Sequence, residues 1–253
     1  MLRCPVCQLP LTKSGRSYRC SKEHAFDIAR SGYINLLRSH RRSRRRRGDS
    51  SEMVRSRSAF LEAGHYAPLG EELARIAHDC DAARFLDAGC GDGFLTARFV
   101  GGLRRRPREA RWGIDLSRVA VDMAAKRYRH LMLAVASVRQ LPILDGSVTC
   151  LLNTFAPSDP REFWRVLDPA GTLVTVRPGE YHLLELRRHL YRVVHPPGRA
   201  TAVELLIFEP IERRDLRFRL KLQPADVRNL LGMTPYVWRA SADAQRVIWA
   251  WTA

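Results

Sequence analysis

Three glycines at alternate positions, Gly89, Gly91 and Gly93, closely follow a short apolar run that ends with an acid, Asp87. This pattern is typical of a strand that ends in a tight turn, where bare backbone approaches a ligand before a helix begins. A second apolar run ends in Asp115, at the separation at which the acid of a βαβ unit reaches ribose hydroxyls. The sequence therefore predicts a nucleoside cofactor here. The alternative, a turn that only packs a helix on a strand, leaves Asp115 unexplained.

The spacing of the glycines selects the cofactor. A dinucleotide-binding turn has the pattern G-x-G-x-x-G, and the last position of that pattern is Phe94 in this chain. The observed G-x-G-x-G pattern resembles motif I of the methyltransferases that use S-adenosylmethionine, so this methyl donor is favoured over NAD. The candidate cofactor contacts in this region are Asp87, Gly89, Gly91, Gly93 and Asp115.

The N-terminal segment carries four metal-binding side chains in the pattern C-x2-C-x12-C-x3-H: Cys4, Cys7, Cys20 and His24. Three thiolates and one imidazole at this spacing are typical of a closed tetrahedral zinc site, which leaves no open position for catalysis. A segment this short has too small a core to fold without the metal, so the zinc is expected to be structural. The other cysteines lie in apolar surroundings and are expected to be reduced packing residues: Cys80, Cys90 and Cys150.

From residue 84 onward, strand-like and helical patterns alternate, which predicts a doubly wound parallel sheet. The predicted strands are 84–88, 111–115, 131–136, 147–153 and 171–177, and the predicted helices are 93–102, 117–129, 159–167 and 180–192. The tail is expected to add strands near 205–220, a helix at 224–231 and a closing strand at 246–252. Upstream of this sheet, Ser50 or Ser51 is expected to cap a helix that Gly64 ends.

These patterns together predict an α/β fold, a Rossmann-like methyltransferase sheet with a small N-terminal zinc-binding domain. The expected division is a zinc-ribbon-like domain at 1–36, a basic linker and helix at 37–69, and a methyltransferase domain at 70–253. Ligands of such sheets bind outside the carboxyl ends of the strands. The polar residues at these ends, and just beyond the last strand, are Asp87, Asp115, Ser137, Asn153, His182 and Glu185.

The chain is strongly basic, with 43 lysines and arginines against 26 aspartates and glutamates and a formal net charge of +17. Such an imbalance indicates a partner that presents phosphates. A GC-rich genome also raises arginine content, so the sign of the imbalance is more informative than the ratio of arginine to lysine. Seven arginines within 38–47 predict a solvated loop, either an arm that binds RNA or a plain linker.

The sequence has no apolar run of 18 or more residues, and it does not begin with a basic region followed by an apolar stretch. We therefore expect a cytoplasmic protein without a membrane span.

Several segments, in a fixed order over nearly the whole chain, resemble the RlmA family. They are the zinc quartet, G-D-S-S-E-M from Gly48, A-F-L-E-A-G-H-Y-A-P-L from Ala59, L-D-A-G-C-G-D-G from Leu86, N-T-F-A-P from Asn153, P-G-x-x-H-L-x-E-L from Pro178 and M-T-P-Y-x-W-R from Met233. The members of this family methylate N1 of a guanine in a hairpin loop of large-subunit (23S) ribosomal RNA.

The resemblance implies an S-adenosylmethionine-dependent enzyme with a structural zinc, ribosomal RNA as its partner, and a homodimer. It also implies which residues contact the cofactor: Tyr66, Asp92, Gly93, Phe94 and His182. From its position before the first strand, Tyr66 is expected either to cover the methionine end of the cofactor or to fix the inter-domain linker.

Guanine N1 carries a proton, so an acceptor must remove it, or its loss must be stabilised through O6. The loop 153–157 corresponds to the substrate loop of base-methylating relatives. Asn153 is therefore expected to hydrogen-bond the base edge, and Phe155 to stack on it. The candidates for the proton acceptor are Asp159, His182 and Glu185.

Two other functions share some of these features. A small-molecule methyltransferase of the quinone or antibiotic-tailoring kind has the glycine motif and an acid like Asp115, but usually lacks a zinc ribbon and a charge of +17. A zinc-ribbon RNA-binding protein on a degenerate scaffold has the charge, but the intact glycines and Asp115 argue against it.

Overall fold

The computed structural model describes residues 1–37, 48–80, 82–103, 110–195, 207–238 and 240–251. The chain forms two compact units, of which the first comprises Met1–Ser50 and Gly70–Val176, and the second Ser51–Leu69 and Arg177–Ala253. The predicted arginine-rich loop 38–47 lies outside the described residues. Among those that are described, no helix is long and apolar enough to cross a membrane.

The zinc-binding segment forms a small antiparallel sheet of three strands, β1 (Thr12–Ser14), β2 (Ser17–Arg19) and β3 (Ala25–Asp27). Ser14 pairs with Ser17, so β1 and β2 are joined by a two-residue turn. Gly15 in this turn has a φ of 58°, which favours glycine because it has no Cβ. The hairpin lies between the two halves of the metal-binding pattern, since Cys4 and Cys7 precede β1, and Cys20 and His24 follow β2.

The main sheet has six parallel strands in the order β4-β7-β6-β5-β8-β9. Their bounds are β4 (Ile34–Asn35), β5 (Phe85–Ala88), β6 (Arg111–Asp115), β7 (Met132–Val135), β8 (Val148–Thr154) and β9 (Leu167–Val176). Strands β5 and β7 are buried along their whole length, as expected for a parallel sheet with helices on its faces. The chain order reverses between β5 and β8, which is where such sheets bind ligands.

The described helices follow the alternating pattern and then continue into the C-terminal part. They are α1 (Ser51–Glu62), α2 (Ala67–Asp79), α3 (Phe94–Gly102), α4 (Arg118–Arg127), α5 (Pro160–Val166), α6 (Leu184–Leu190), α7 (Pro224–Met233), α8 (Pro235–Trp238) and α9 (Ala242–Ala250). This arrangement confirms the predicted α/β, doubly wound fold class.

The zinc-binding segment is part of the first unit because its last strand, β4, pairs in parallel with β7. The rings of Tyr18 on β2 and Trp112 on β6 make a T-shaped contact, with centroids 6.0 Å apart. The Ser31 hydroxyl donates a hydrogen bond of 2.7 Å to Oδ1 of Asp122 on α4. The segment predicted as a small N-terminal domain therefore packs directly on the main sheet.

Two predictions about the tail are wrong. Residues 207–220, the described part of the predicted strand region, form no strand, and the predicted closing strand at 246–252 is occupied largely by helix α9. Ser241 caps this helix by accepting a hydrogen bond of 3.3 Å from the backbone amide of Ala244. The predicted helix at 224–231 is confirmed as α7, and the strand predicted at 171–177 begins earlier, at Leu167.

Candidate cofactor and zinc sites

Cys4, Cys7, Cys20 and His24 converge in the N-terminal segment, with all four ligand atoms within 4.8 Å of one another. The Sγ atoms of Cys7 and Cys20 lie 3.5 Å apart, and Nδ1 of His24 lies 3.4 Å from Sγ of Cys20 and 3.6 Å from Sγ of Cys4. A tetrahedral zinc bound at normal Zn–S and Zn–N distances places its ligand atoms about 3.4–3.8 Å apart. The donor set and its spacing therefore fit a structural zinc.

Two tight turns bring the ligands together. Gln8 follows the first cysteine pair with a φ of 68°, and Glu23 precedes His24 with a φ of 60°. The first turn is closed by the amide of Gln8, which donates to the carbonyl of Cys4 at 2.9 Å. Left-handed backbone at residues other than glycine is uncommon, and it persists where the surrounding structure imposes it.

The glycine turn lies at the carboxyl end of β5. Gly89, Gly91 and Gly93 have φ values of 101°, 54° and 80°, all in the region that favours glycine. A Cβ on Gly89 would lie 2.2 Å from Cβ of Ala156, in the loop after β8. The turn therefore requires glycine both for its backbone and for the close approach of the neighbouring loop.

Asp115 at the end of β6 fixes the glycine turn. Its Oδ2 accepts a hydrogen bond of 2.9 Å from the amide of Gly91, and its Oδ1 accepts one of 2.7 Å from the amide of Ser117. An ionised carboxylate only accepts hydrogen bonds, which is the chemistry that the two hydroxyls of a ribose diol require. Ser117 is a residue that sequence reasoning missed, although a serine two positions after the acid and before a helix is a recognisable N-cap signal.

Two further acids lie in this region, and both are buried. Asp87 is 2% exposed and accepts a hydrogen bond of 2.6 Å from the hydroxyl of Thr96, while its Oδ1 has no hydrogen-bond partner among the described residues. Burial raises the pKa of Asp87 to about 7, and the charge of Asp115 acts in the same direction. Asp92, 3% exposed, accepts a hydrogen bond of 3.3 Å from the amide of Phe94 at the start of α3.

The candidate substrate loop follows β8. Asn153 is 4% exposed, and its side-chain amide donates to the carbonyls of Ala88, at 2.6 Å, and Pro157, at 3.2 Å. It therefore ties the end of β5 to the loop and leaves Oδ1 as the atom that could face a base. Phe155 is 42% exposed and has a φ of 50°, so an aromatic ring is presented from left-handed backbone.

The other two candidates in this unit, Asp159 and Ser137, accept hydrogen bonds from backbone amides two or three residues further along the chain. Asp159 is the N-cap of α5, where its side chain accepts a hydrogen bond of 3.2 Å from the amide of Glu162. Ser137, just after β7, is half-buried, and its hydroxyl accepts a hydrogen bond of 3.3 Å from the amide of Arg139. The structure thus gives Asp159 a structural role, and a catalytic role for it stays a prediction.

Tyr66, His182 and Glu185 belong to the second unit. Tyr66 is 6% exposed and makes edge-on ring contacts with Phe60 and Phe218, at centroid distances of 5.6 and 5.9 Å. Burial raises the pKa of Tyr66 to about 12. His182 is half-buried, and burial lowers its pKa, with the nearby Arg187 charge acting in the same direction, whereas the Glu185 side chain is exposed. Cofactor or catalytic roles for these three stay predictions.

The fold, the glycine turn and the zinc-ligand cluster define an S-adenosylmethionine-dependent methyltransferase with a zinc ribbon. Residues 2–44 match the family model described as RlmA, N-terminal, and residues 85–171 match that of a methyltransferase domain. The methyl donor would be held at the glycine turn and Asp115, and the zinc by the Cys4, Cys7, Cys20 and His24 cluster. These findings confirm the predicted cofactor and metal.

Curated relatives cover nearly the whole chain. A 23S rRNA (guanine(748)-N(1))-methyltransferase of Streptomyces fradiae is 38% identical over 96% of this chain and 87% of its own length. A putative 23S rRNA (guanine-N(1)-)-methyltransferase of Micromonospora griseorubida is 36% identical over 94% of this chain and 86% of its own length. Another, YxjB of Bacillus subtilis (strain 168), is 33% identical over 96% of this chain and 89% of its own length. The chain therefore belongs to the RlmA family of 23S ribosomal RNA (guanine-N1)-methyltransferases.

Proposed function

We propose that this enzyme transfers a methyl group from S-adenosylmethionine to N1 of a guanine in a hairpin loop of 23S ribosomal RNA. The observation that carries the proposal is the combination, in one compact unit, of the zinc-ligand cluster with a glycine turn fixed by Asp115. The 38% identity to the Streptomyces fradiae enzyme over 96% of the chain supports the choice of substrate over a small molecule, and the intact turn argues against a non-enzymatic protein.

Methyl transfer from a sulfonium is an in-line displacement, so the contribution of the protein is mainly to position the two reactants. When bound, S-adenosylmethionine supplies the electrophilic methyl group. Asp115 and the glycine turn hold the nucleoside part of the donor. Phe155 offers its exposed ring to the guanine, and Oδ1 of Asn153 faces the base edge, where it accepts a hydrogen bond from the exocyclic amino group.

The proton of guanine N1 must leave for the lone pair to attack. His182 has a lowered pKa, so its imidazole is neutral at pH 7 and able to accept a proton. Glu185, whose side chain is exposed, is the other candidate proton acceptor in the second unit. We retain both, and we rank Asp159 below them because its carboxylate caps α5.

The test is tritium transfer from labelled donor to transcripts of the 23S hairpin, with the modified base mapped by primer extension. Methylation at N1 blocks Watson–Crick pairing and stops reverse transcriptase, so the stop identifies the nucleotide and the pairing edge. A transcript with adenine in place of the mapped guanine is the matched control and should receive no label. Labelling of that control to the same extent, or labelling without a stop, would contradict methylation at guanine N1.

We further propose that the enzyme is a cytoplasmic homodimer. The cytoplasm is where ribosomal RNA is available, and the family resemblance supports the dimer. Light scattering across a dilution series measures the mass directly. A mass of one chain throughout the series, with the enzyme active, would contradict the dimer.

A further inference from the structure

The loop between β9 and α6 presents an aromatic ring to solvent. Tyr181 is 56% exposed, and the neighbouring His182 is half-buried. A single exposed aromatic residue is ordinary on a protein surface. What distinguishes Tyr181 is the fixed backbone beneath it and the cation beside it, both within the second unit.

Arg187 holds the loop in place from the first turns of α6. Its side chain is buried, with the residue 4% exposed, and its guanidinium donates to the carbonyls of Glu180, at 3.2 Å, His182, at 3.1 Å, and His195. The loop then ends at Leu183 in left-handed backbone, with a φ of 49°. A buried cation that binds three carbonyls, together with a strained residue, favours one defined conformation of the loop. The Tyr181 ring is therefore preorganised.

A second segment supplies the cation. The guanidinium carbon of Arg217 lies 5.0 Å from the centroid of the Tyr181 ring, within the range of a cation–π contact. The next residue, Phe218, contacts the buried Tyr66 ring instead, which anchors the segment. Neighbouring side chains thus serve different purposes, because Phe218 attaches the segment to the unit and Arg217 faces the exposed ring.

The positive charge of this segment is partly uncompensated. Arg213 and Arg214 have acidic partners, Asp215 at 3.2 Å and Glu212 at 2.6 Å. No carboxylate partner is found among the described residues for the three exposed cations that follow: Arg217, Arg219 and Lys221. An exposed aromatic ring next to unpaired cations is the combination that binds single-stranded nucleic acid, in which bases stack and phosphates are neutralised.

We propose that Tyr181 and Arg217 form a stacking platform for an unpaired base of the RNA substrate, with Arg219 and Lys221 at the adjacent phosphates. This inference rests on the proposed function. The guanine that reacts is already assigned to Asn153 and Phe155, so the platform is assigned to a flanking base of the same RNA. Tyr181 and Arg217 are accordingly positioning residues, whose loss raises KM for RNA and leaves kcat unchanged.

The experiment measures methylation of a hairpin transcript by the full-length enzyme over a range of RNA concentrations. Tyr181→Ala should raise KM for RNA about 5- to 100-fold, the range expected for loss of one stacked base. Tyr181→Phe keeps the ring and should stay close to wild type. Arg217→Ala should also raise KM for RNA, whereas Arg219→Ala should reduce the slope of log affinity against log salt by about one phosphate contact. Arg213→Ala, on the same segment but paired with Asp215, is the matched control.

Donor affinity, measured by calorimetry, separates this role from misfolding or a cofactor contact, and it should be unchanged in every variant. An unchanged KM for Tyr181→Ala in an enzyme that methylates RNA would overturn the platform and leave the proposed function intact. An equal loss in Tyr181→Phe, or a weakened donor in Tyr181→Ala, would also overturn it. If the wild-type enzyme methylates no RNA, the proposed function and the platform fail together.

Discussion

The amide of Gly91 donates a hydrogen bond of 2.9 Å to Oδ2 of Asp115, so the acid that ends β6 holds the glycine turn that ends β5. The same carboxylate accepts a hydrogen bond from the amide of Ser117, the N-cap of α4. Asp115 is therefore positioned by two backbone donors before any ligand arrives. Preorganisation of this kind means that the acid contributes to the shape of the turn, in addition to the ribose contact that we propose for it.

Replacement of Asp115 by alanine should weaken the methyl donor about 10- to 100-fold, because charge-assisted hydrogen bonds of about 1.5–3 kcal/mol are lost. Calorimetry with S-adenosylmethionine measures the change. Asp79→Asn is the control, since the Asp79 side chain is 67% exposed at the end of α2 and should have wild-type affinity. Wild-type affinity in Asp115→Ala would show that the donor binds elsewhere.

Cys20→Ser should abolish zinc binding, because a thiolate ligand of a four-ligand site is lost. Atomic absorption of the purified protein measures the metal. Cys80→Ser changes a cysteine outside the ligand cluster and should keep full zinc content. Because β4 pairs with β7, the loss of zinc should also lower the unfolding temperature of the sheet. A full complement of zinc in Cys20→Ser would refute the ligand assignment.

Asp87 should make stability depend on pH. Its pKa is raised to about 7 by burial, so the folded protein keeps the proton that the unfolded chain releases near pH 4. The stability that the protonated acid contributes is therefore lost as the pH rises through about 7. Asp87→Asn is neutral at every pH, so the free energy of unfolding of the wild type should fall relative to this variant between pH 5 and pH 8. Denaturant titrations at each pH measure this free energy. If it changes with pH in the same way in the wild type and in Asp87→Asn, the raised pKa of Asp87 is contradicted.

Phe155 should be more easily replaced by glycine than by alanine. Left-handed backbone costs a residue with a Cβ about 1–2 kcal/mol, and glycine escapes this cost. After allowing for the greater flexibility of glycine in the unfolded chain, we expect Phe155→Gly to be about 1 kcal/mol more stable than Phe155→Ala. At Val119, on helix α4, the same pair of substitutions should show the reverse order. If the alanine variant is more stable than the glycine variant at both positions, the proposed backbone strain at Phe155 is contradicted.

The sequence was informative where local pattern and chemistry coincide. Buried parallel strands are short apolar runs, so β5 through β8 could be located within a few residues, and the zinc ligands follow from spacing alone. Strand β4 could not be found in this way. It has only two residues, Ile34 and Asn35, and its partner β7 lies about a hundred positions along the chain.

The errors in the tail have a different cause. The run Val247-Ile248-Trp249 has strand-like composition, but the Ser241 cap begins a helix that buries Ile248. At the site, sequence placed Asn153 at a strand end. It could not indicate that the side-chain amide donates hydrogen bonds to the Ala88 and Pro157 carbonyls, because those contacts depend on how the end of β5 and the loop after β8 pack together.

The pairing of β4 with β7 limits how this protein can be cut or recombined. Without residues 1–37, the wholly buried strand Met132–Val135 would become a bare sheet edge, with backbone groups open to a neighbouring molecule. A truncated enzyme is therefore a candidate for aggregation rather than a minimal catalytic domain. In chimeras between relatives, the ribbon has to be exchanged together with Ile34 and Asn35, and these residues have to match the β7 of the recipient.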